Sequence, residues 1–466
     1  MGKTENQPRA TVRRIPIISL LLLLLASLPT QGRRLDVGPG KAYASIAKAL
    51  ATATDGDVVY IHSGGVYREH LAIRRSVRLQ GVGLPVVDGG KRGNIIEVRA
   101  NGVTIDGLLL RNSGRSSRVD YCGIHAQGAE RLNVSHCVFR SCQFSIMVQN
   151  GNNCVVEGNN ISSDITYNPI MGNAIHCWKS DHLRIVNNRI GHNRDGIYLE
   201  FVNRSHIAHN TIDGCARYGL HFMFSHFNVF DDNRFSHNQA GVAVMFGHNV
   251  TMLNNLFADN QGTSSYGLLI KELQYSKIHG NCFLNNTVGL LVDGGSDLNI
   301  HQNEIRDNGW GIRLISASTN DTIYRNNFMG NTFDMTTNVS YNRNRVDGNY
   351  WDKYEGYDLN KNGRGDVPFH PLSLFSVLAE QDETVLLFFR SFLMNLLDAT
   401  EKQLPTITPD NYVHNTPAMT PCKISPRSTT TTNTMAGCTC STTSTSSSHP
   451  ANAWPLSAPT DAARPH

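Results

Sequence analysis

A few soft donors stand out by residue type and spacing. His221 and Met223 lie two residues apart, Met245 follows Met223 by 22 residues, and His176 and Glu200 precede them. Thioether and imidazole ligands suit Cu(I). The same side chains also suit an adaptable protein interface. Further along, Lys271, Asp293 and Arg313 could serve the acid–base work of a carbohydrate groove. Spacing alone leaves these three readings open. A second set is Asp358, Asn360, Asn362 and Asp366, with Gly363 among them. Oxygen side chains at alternate positions around a glycine match the first part of a calcium loop. The twelfth position is Phe369 rather than a bidentate Glu. The competing reading is a Gly/Asn turn that caps a repeat array.

The elements that must position these residues follow from a repeat. From Gly123 to Phe328 the chain restates one phrase: Gly, then apolar–any–apolar, then about ten residues on a β-branched or Leu run ending in Asn-x-Ile/Phe. Gly196-Ile197-Tyr198-Leu199 with Asn210-Thr211-Ile212 is one copy, and Gly219-Leu220-His221-Phe222 with Asn233-Arg234-Phe235 is the next. From Gly196 to Gly311 the glycine spacings are 23, 22, 26, 22 and 22. A leucine-rich repeat is excluded, since L-x-x-L-x-L-x-x-N is missing and no helix fits between the strands. The phrase predicts an all-β, right-handed parallel β-helix whose coils stack about 4.8 Å apart. Alternation along each strand sends the first and third residues after Gly inward and leaves the second and fourth facing solvent. His176 and His221 then occupy the second row, with His125, Met147 and Tyr198. Glu200, Met223 and Met245 occupy the fourth, followed by Lys271 and Asp293. Neighbouring rungs put Met223 beside Met245.

The chain has 466 residues, a net charge of +4 and 40 glycines. This balance excludes a strongly basic nucleic-acid binder and fits a turn-rich fold. Residues 1–32 read as an export signal: Arg13 and Arg14, an apolar stretch from Ile15 to Leu25, then small residues. The stretch is short for a membrane span. Ten cysteines could signal disulfides in an exported protein. Cys122, Cys137, Cys142, Cys154, Cys177, Cys215 and Cys282 are scattered through the repeats and read mostly as buried small hydrophobes. Residues 33–348 form the β-helix, with a cap helix over Tyr43 to Ala53. A loop module rich in aromatics, Gly and Asn spans 349–371. Residues 372–405 read as helical, with an apolar stripe that either packs on the end of the β-helix or meets a membrane or a membrane-embedded partner. Residues 406–466 form an extension that turns Ser/Thr-rich, a composition that predicts disorder.

The repeats together with Asn349-Tyr350-Trp351, Tyr354, Gly356-Tyr357-Asp358, Gly363 and Gly365-Asp366-Val367-Pro368 resemble the NosD family of nitrous oxide reductase maturation proteins. His221-Phe222-Met223-Phe224 and Val244-Met245-Phe246 also look like that family's paired rungs. The resemblance covers roughly residues 34 to 420, and the tail after Pro421 departs from it. It implies a non-catalytic periplasmic accessory protein docked on the membrane and ATPase subunits of an ABC transporter. Such a protein would receive copper from a copper chaperone and serve the copper centres of nitrous oxide reductase. The cargo it implies is copper or a sulfur species. This chain has no G-x-x-x-x-G-K-[ST] motif, so ATP hydrolysis falls to a partner. On that footing His221, Met223 and Met245 are expected to hold Cu(I) transiently, with His176 and Glu200 nearby. The alternative class is a polysaccharide lyase or epimerase on the same fold.

Overall fold

The glycine that opens each phrase is demanded by the approach of one coil to the next. A Cβ on Gly219 would stand 2.5 Å from the Gly241 carbonyl oxygen, and one on Gly241 the same distance from that of Gly267. Any side chain there would push the coils apart. We describe a computed structural model covering residues 32–164, 170–316, 318–338, 343–388, 391–403 and 414–423. Most of the expected export signal, the Ser/Thr-rich tail and part of the loop from Ser162 to Gly172 lie outside these residues.

The strands build three parallel sheets of 14, 12 and 13 strands. Sheet 1 runs from Arg34–Val37 to Arg343–Asp347, sheet 2 from Leu71–Ile73 to Phe333–Thr337, and sheet 3 from Val66–Tyr67 to Tyr350–Trp351. Each coil contributes one short strand to each sheet. The expected right-handed parallel β-helix is the fold observed. The core is a column of Ile, Val, Leu and Phe. Phe235, Phe257 and Phe283 stack rung on rung at 5.5 and 4.8 Å, and Phe328 stacks on Trp351 at 4.2 Å.

The recurrent Asn is buried rather than placed at a solvated turn. Asn159, Asn188, Asn210, Asn233, Asn255, Asn281, Asn303, Asn326 and Asn349 form one continuous ladder. In it the Asn255 amide donates to Asn281 Oδ1 at 3.0 Å and to the Phe230 and Leu253 carbonyls, and Asn255 Oδ1 accepts from the Asn233 backbone. The residue before each ladder Asn takes a left-handed conformation, as at His209, Asp232, Asn254 and Gly280. The ladder thereby satisfies backbone groups that the sharp corner between sheets 1 and 3 leaves without strand partners.

Both ends are covered. Helix α1 (Ile46–Thr52) buries Ile46 and Ala49. Its first amides donate to the Glu69 carboxylate at 3.0 and 2.8 Å. At the other end helix α2 (Leu374–Gln381) sets Phe375 against Phe333 and pairs Glu380 with Arg313 at 2.8 Å. A 3₁₀ turn (Glu383–Phe388) and helix α3 (Phe392–Gln403) follow. Residues 414–423 return to the last coil, where Trp351 Nε1 donates to the buried His414 at 2.9 Å. Cys122, Cys137, Cys142, Cys154, Cys177 and Cys215 are buried free thiols, as read from the repeat, whereas Cys282 is disulfide-bonded.

Candidate functional site

Sheet 2 carries the soft donors. Glu200, Met223 and Met245 are register partners on three successive strands, all half-buried. The row continues through Lys271 and Asp293. One row over, His176, Tyr198 and His221 are also in register.

The second row departs from the expectation of a solvent-facing position. His221 is only 6% exposed, and Met147, Ala243 and Leu291 are buried too. At His221 the cause is aromatic cover. The His221 ring lies 4.8 Å from that of Tyr198 and 4.6 Å from that of Tyr218, the residue just before the rung glycine. Neither ring nitrogen of His221 has a hydrogen-bond partner, and Nδ1 of His176 has none either. Burial lowers both imidazoles to a pKa of about 4, so each is neutral at pH 7. A buried, neutral, unpartnered imidazole is costly, and its free lone pair is the form that binds a metal.

Glu200 lies close to Tyr198: burial, followed by the Glu200 charge, pushes the Tyr198 hydroxyl up to about 12. The arrangement therefore offers two adjacent half-buried thioethers, a buried imidazole in the neighbouring row and a carboxylate on the preceding strand. That is a soft-donor face with one shielded ligand. His176 stands apart from His221, with the Tyr198 ring between them.

Farther along, the charged residues neutralise one another. Lys271 lies 3.5 Å from Asp293, Asp293 accepts from Ser316 at 2.6 Å, and Arg313 is taken by Glu380. Asp358, Asn360, Asn362 and Asp366 are gathered in one exposed loop, but backbone amides of that loop already occupy oxygens of Asp358, Asn360 and Asn362 at 2.7 to 3.1 Å. Asp366 accepts from the Leu359 amide at 2.7 Å. Among the described residues no group of three or more His, Cys, Asp or Glu is placed to hold a metal. Any soft-metal site on this face therefore depends on methionine sulfur.

A further row stands at the fifth position after the rung glycine. Phe201, Phe224 and Phe246 stack there at 5.3 and 5.1 Å, each in the left-handed region, beside the Glu200–Met223–Met245 row. His226 and His248 stack at 4.0 Å in the following turn. The signal was present in the sequence as a Phe at one fixed offset from three rung glycines. A second apolar patch lies on the C-terminal helices, where Leu387 is 67% and Phe392 82% exposed, beside Phe388 and Leu396.

The fold first defines a class. It is similar to the catalytic domain of a GH87 α-1,3-glucanase, with a TM-score of 0.53 at 14% identity over 70% of each chain. It is also similar to a family 28 exopolygalacturonase of Yersinia enterocolitica, with a TM-score of 0.50 at 11% identity over 69% of this chain and 78% of that one. At such identities the likeness is one of fold, the parallel β-helix.

The sequence comparisons narrow the class. Residues 161–356 match the family described as periplasmic copper-binding protein (NosD). The probable ABC transporter binding protein NosD of Pseudomonas aeruginosa is 27% identical over 415 residues, 84% of this chain and 92% of that protein. Its counterpart in Stutzerimonas stutzeri is 26% identical over 402 residues, 82% of this chain and 91% of that protein. The chain is thus NosD-like over most of its length. Among the described residues no helix is long and apolar enough to cross a membrane.

Proposed function

We propose that this chain is a periplasmic accessory protein for assembly of the copper centres of nitrous oxide reductase. It holds Cu(I) briefly on sheet 2 and passes it on while docked on an ABC transporter. The observation that carries this reading is the pairing of Met223 with Met245 in register, one row over from a neutral His221 whose ring nitrogens lack partners. Thioethers at the surface exchange a soft ion readily, and the shielded imidazole gives the ion a reason to pause. Glu200 adds negative charge beside the cation, and His176 lies nearby, beyond the Tyr198 ring. Two names support the reading: copper-binding for the family, and ABC transporter binding for the relatives. The C-terminal apolar patch is the surface offered to the transporter or the adjoining membrane. A copper chaperone supplies the ion, and nitrous oxide reductase receives it.

The chain acts without catalysis in this reading. A polysaccharide lyase would need free carboxylate and basic groups in a groove, whereas Asp293 and Arg313 are already paired. The Asp358–Asp366 loop holds itself together through its own amides, and calcium plays no part in the proposed handover.

The test is an anaerobic Cu(I) competition titration against a chelator, on the parent and on His221→Ala/Met223→Ala/Met245→Ala. Affinity at the methionine face is expected to fall tenfold or more in the variant, about 1.4 kcal/mol. A parent that binds no Cu(I) would leave a docking scaffold or a sulfur carrier as the function.

A further inference from the structure

A second group of soft donors lies on the same sheet, closer to the N-terminus. Cys122, Phe144 and Met147 form a small buried cluster separate from the main core. They sit on the outer side of sheet 2, where a coil has no need of core residues. Cys122 is 0% and Met147 3% exposed. Cys122 Sγ lies 3.9 Å from Met147 Sδ. Cys122 aligns with Phe144 on the next strand, and Met147 aligns with His176 on the strand after. The His176 ring lies 5.8 Å from that of Phe144, and its Nδ1 is shut from solvent without a partner. The loop leading into Cys122 is tied down by Gln143, which accepts from the Ser116 amide at 3.1 Å and donates to its carbonyl at 2.6 Å.

We infer that Cys122, Met147 and His176 form a second soft-metal site for a monovalent d¹⁰ ion such as Cu(I), distinct from the Met223–Met245 face. The donor chemistry is thiolate, thioether and imidazole, the set that selects Cu(I). The sulfur spacing fits as well. Two sulfur ligands about 2.3 Å from one ion stand roughly 4 Å apart at a trigonal angle of about 120°. Two sulfurs in plain contact sit at a similar separation, so the decisive feature is the third donor, His176, which is the register partner of Met147 and lies two strands from Cys122. Loading replaces the Cys122 S–H bond with an S–metal bond, and the proton leaves to water. The metal keeps its charge, so no oxidant or reductant is needed.

This inference rests on the copper-handling reading of the chain and adds a second station to it. His176 and His221 flank Tyr198, with ring separations of 4.8 Å on each side. The row that holds His176 thus runs on to His221, one row over from the half-buried Met223 and Met245. A thiolate site holds more tightly than a thioether site, so the buried station retains an ion that the surface station releases.

The experiment is anaerobic titration of the mature protein with Cu(I) from a chromogenic chelator, read as stoichiometry. The parent is expected to bind two equivalents. Cys122→Ser and Met147→Leu should each lose one or weaken it tenfold or more, and the one that remains should disappear when His221→Ala/Met223→Ala/Met245→Ala is added. Met147→Leu conserves core volume, and His176→Phe keeps a ring against Phe144. Thermal melting of both establishes that a lost equivalent is a lost site rather than a lost fold. Two equivalents surviving in folded Met147→Leu and His176→Phe would overturn the inference. One equivalent in the parent, lost only in the triple variant, would overturn this site and leave the surface site standing. One equivalent lost only with Cys122→Ser would keep this site and sink the other. No binding by the parent would sink both.

Discussion

Single residues that break a column's pattern show what the column is for. Ser205, Asn228 and Ser276 each use a side-chain oxygen to accept a backbone amide from the preceding rung, at 2.9 to 3.0 Å. Asp321 does the same for Leu298 at 2.9 Å, but its second oxygen is buried without a partner. Burial raises its pKa to about 7. The native state thus binds a proton that the unfolded chain gives up near pH 4. Its penalty is absent below that, grows as pH rises from about 4 to about 7 and is complete above 7. Asp321→Asn keeps the accepting oxygen and turns the orphan into an amide donor facing Gly295, as Asn228 donates to the Val202 carbonyl at 2.8 Å. The variant is expected to be more stable by on the order of 2–4 kcal/mol at pH 8 and nearly unchanged at pH 4. Melting temperatures at the two pH values check this. A variant that melts no higher than the parent at pH 8 would remove the argument.

At the scale of the coil, hydrogen bonding inside the corner complements hydrophobic stacking. Asn255→Ala removes the acceptor for the Asn233 amide and the donor to the Phe230 and Leu253 carbonyls, all away from water. Each orphaned buried group costs about 1–3 kcal/mol, so a total loss of roughly 2–4 kcal/mol is expected, read by urea denaturation at neutral pH. Equal stability would mean that water fills the gap. The ladder's existence was legible in the recurring Asn-x-Ile/Phe, and the coil's register in the glycine spacing, because both are local and repeat. Burial of the second row was not. It depends on Tyr198 and Tyr218 closing over His221, a contact between rungs that a count along one strand does not show. Cys122 was legible as buried, but its contact with Met147 was not, because Cys122 precedes its rung glycine and so falls outside the rows counted. The fifth-position phenylalanines were visible as residues and silent as a stack, since asparagine, not phenylalanine, is the usual choice for left-handed backbone.

At the scale of the whole β-helix, donor face and docking patch belong to different elements, and this separates their failures. The soft donors lie on strands in the middle of sheet 2. The exposed Leu387, Phe388, Phe392 and Leu396 lie on the C-terminal helical segment. Helix α2 joins that segment to the sheet through Glu380 on Arg313 and Phe375 on Phe333. Phe392 and Leu396 are four residues apart and share one helix face. Burying two such side chains against a partner contributes about 1.5–3 kcal/mol each, enough to decide whether a transient complex forms. Phe392→Glu/Leu396→Glu is therefore expected to abolish co-sedimentation with membranes bearing the transporter, while Cu(I) stoichiometry and melting temperature stay at parental values. His221→Ala/Met223→Ala/Met245→Ala should show the reverse, sedimenting normally and losing the Cu(I) equivalent of the methionine face. If the glutamate variant still sediments, the Phe201–Phe224–Phe246 stack becomes the better docking surface. The methionine face would then be partly covered in the complex, and copper would have to be loaded before docking rather than after.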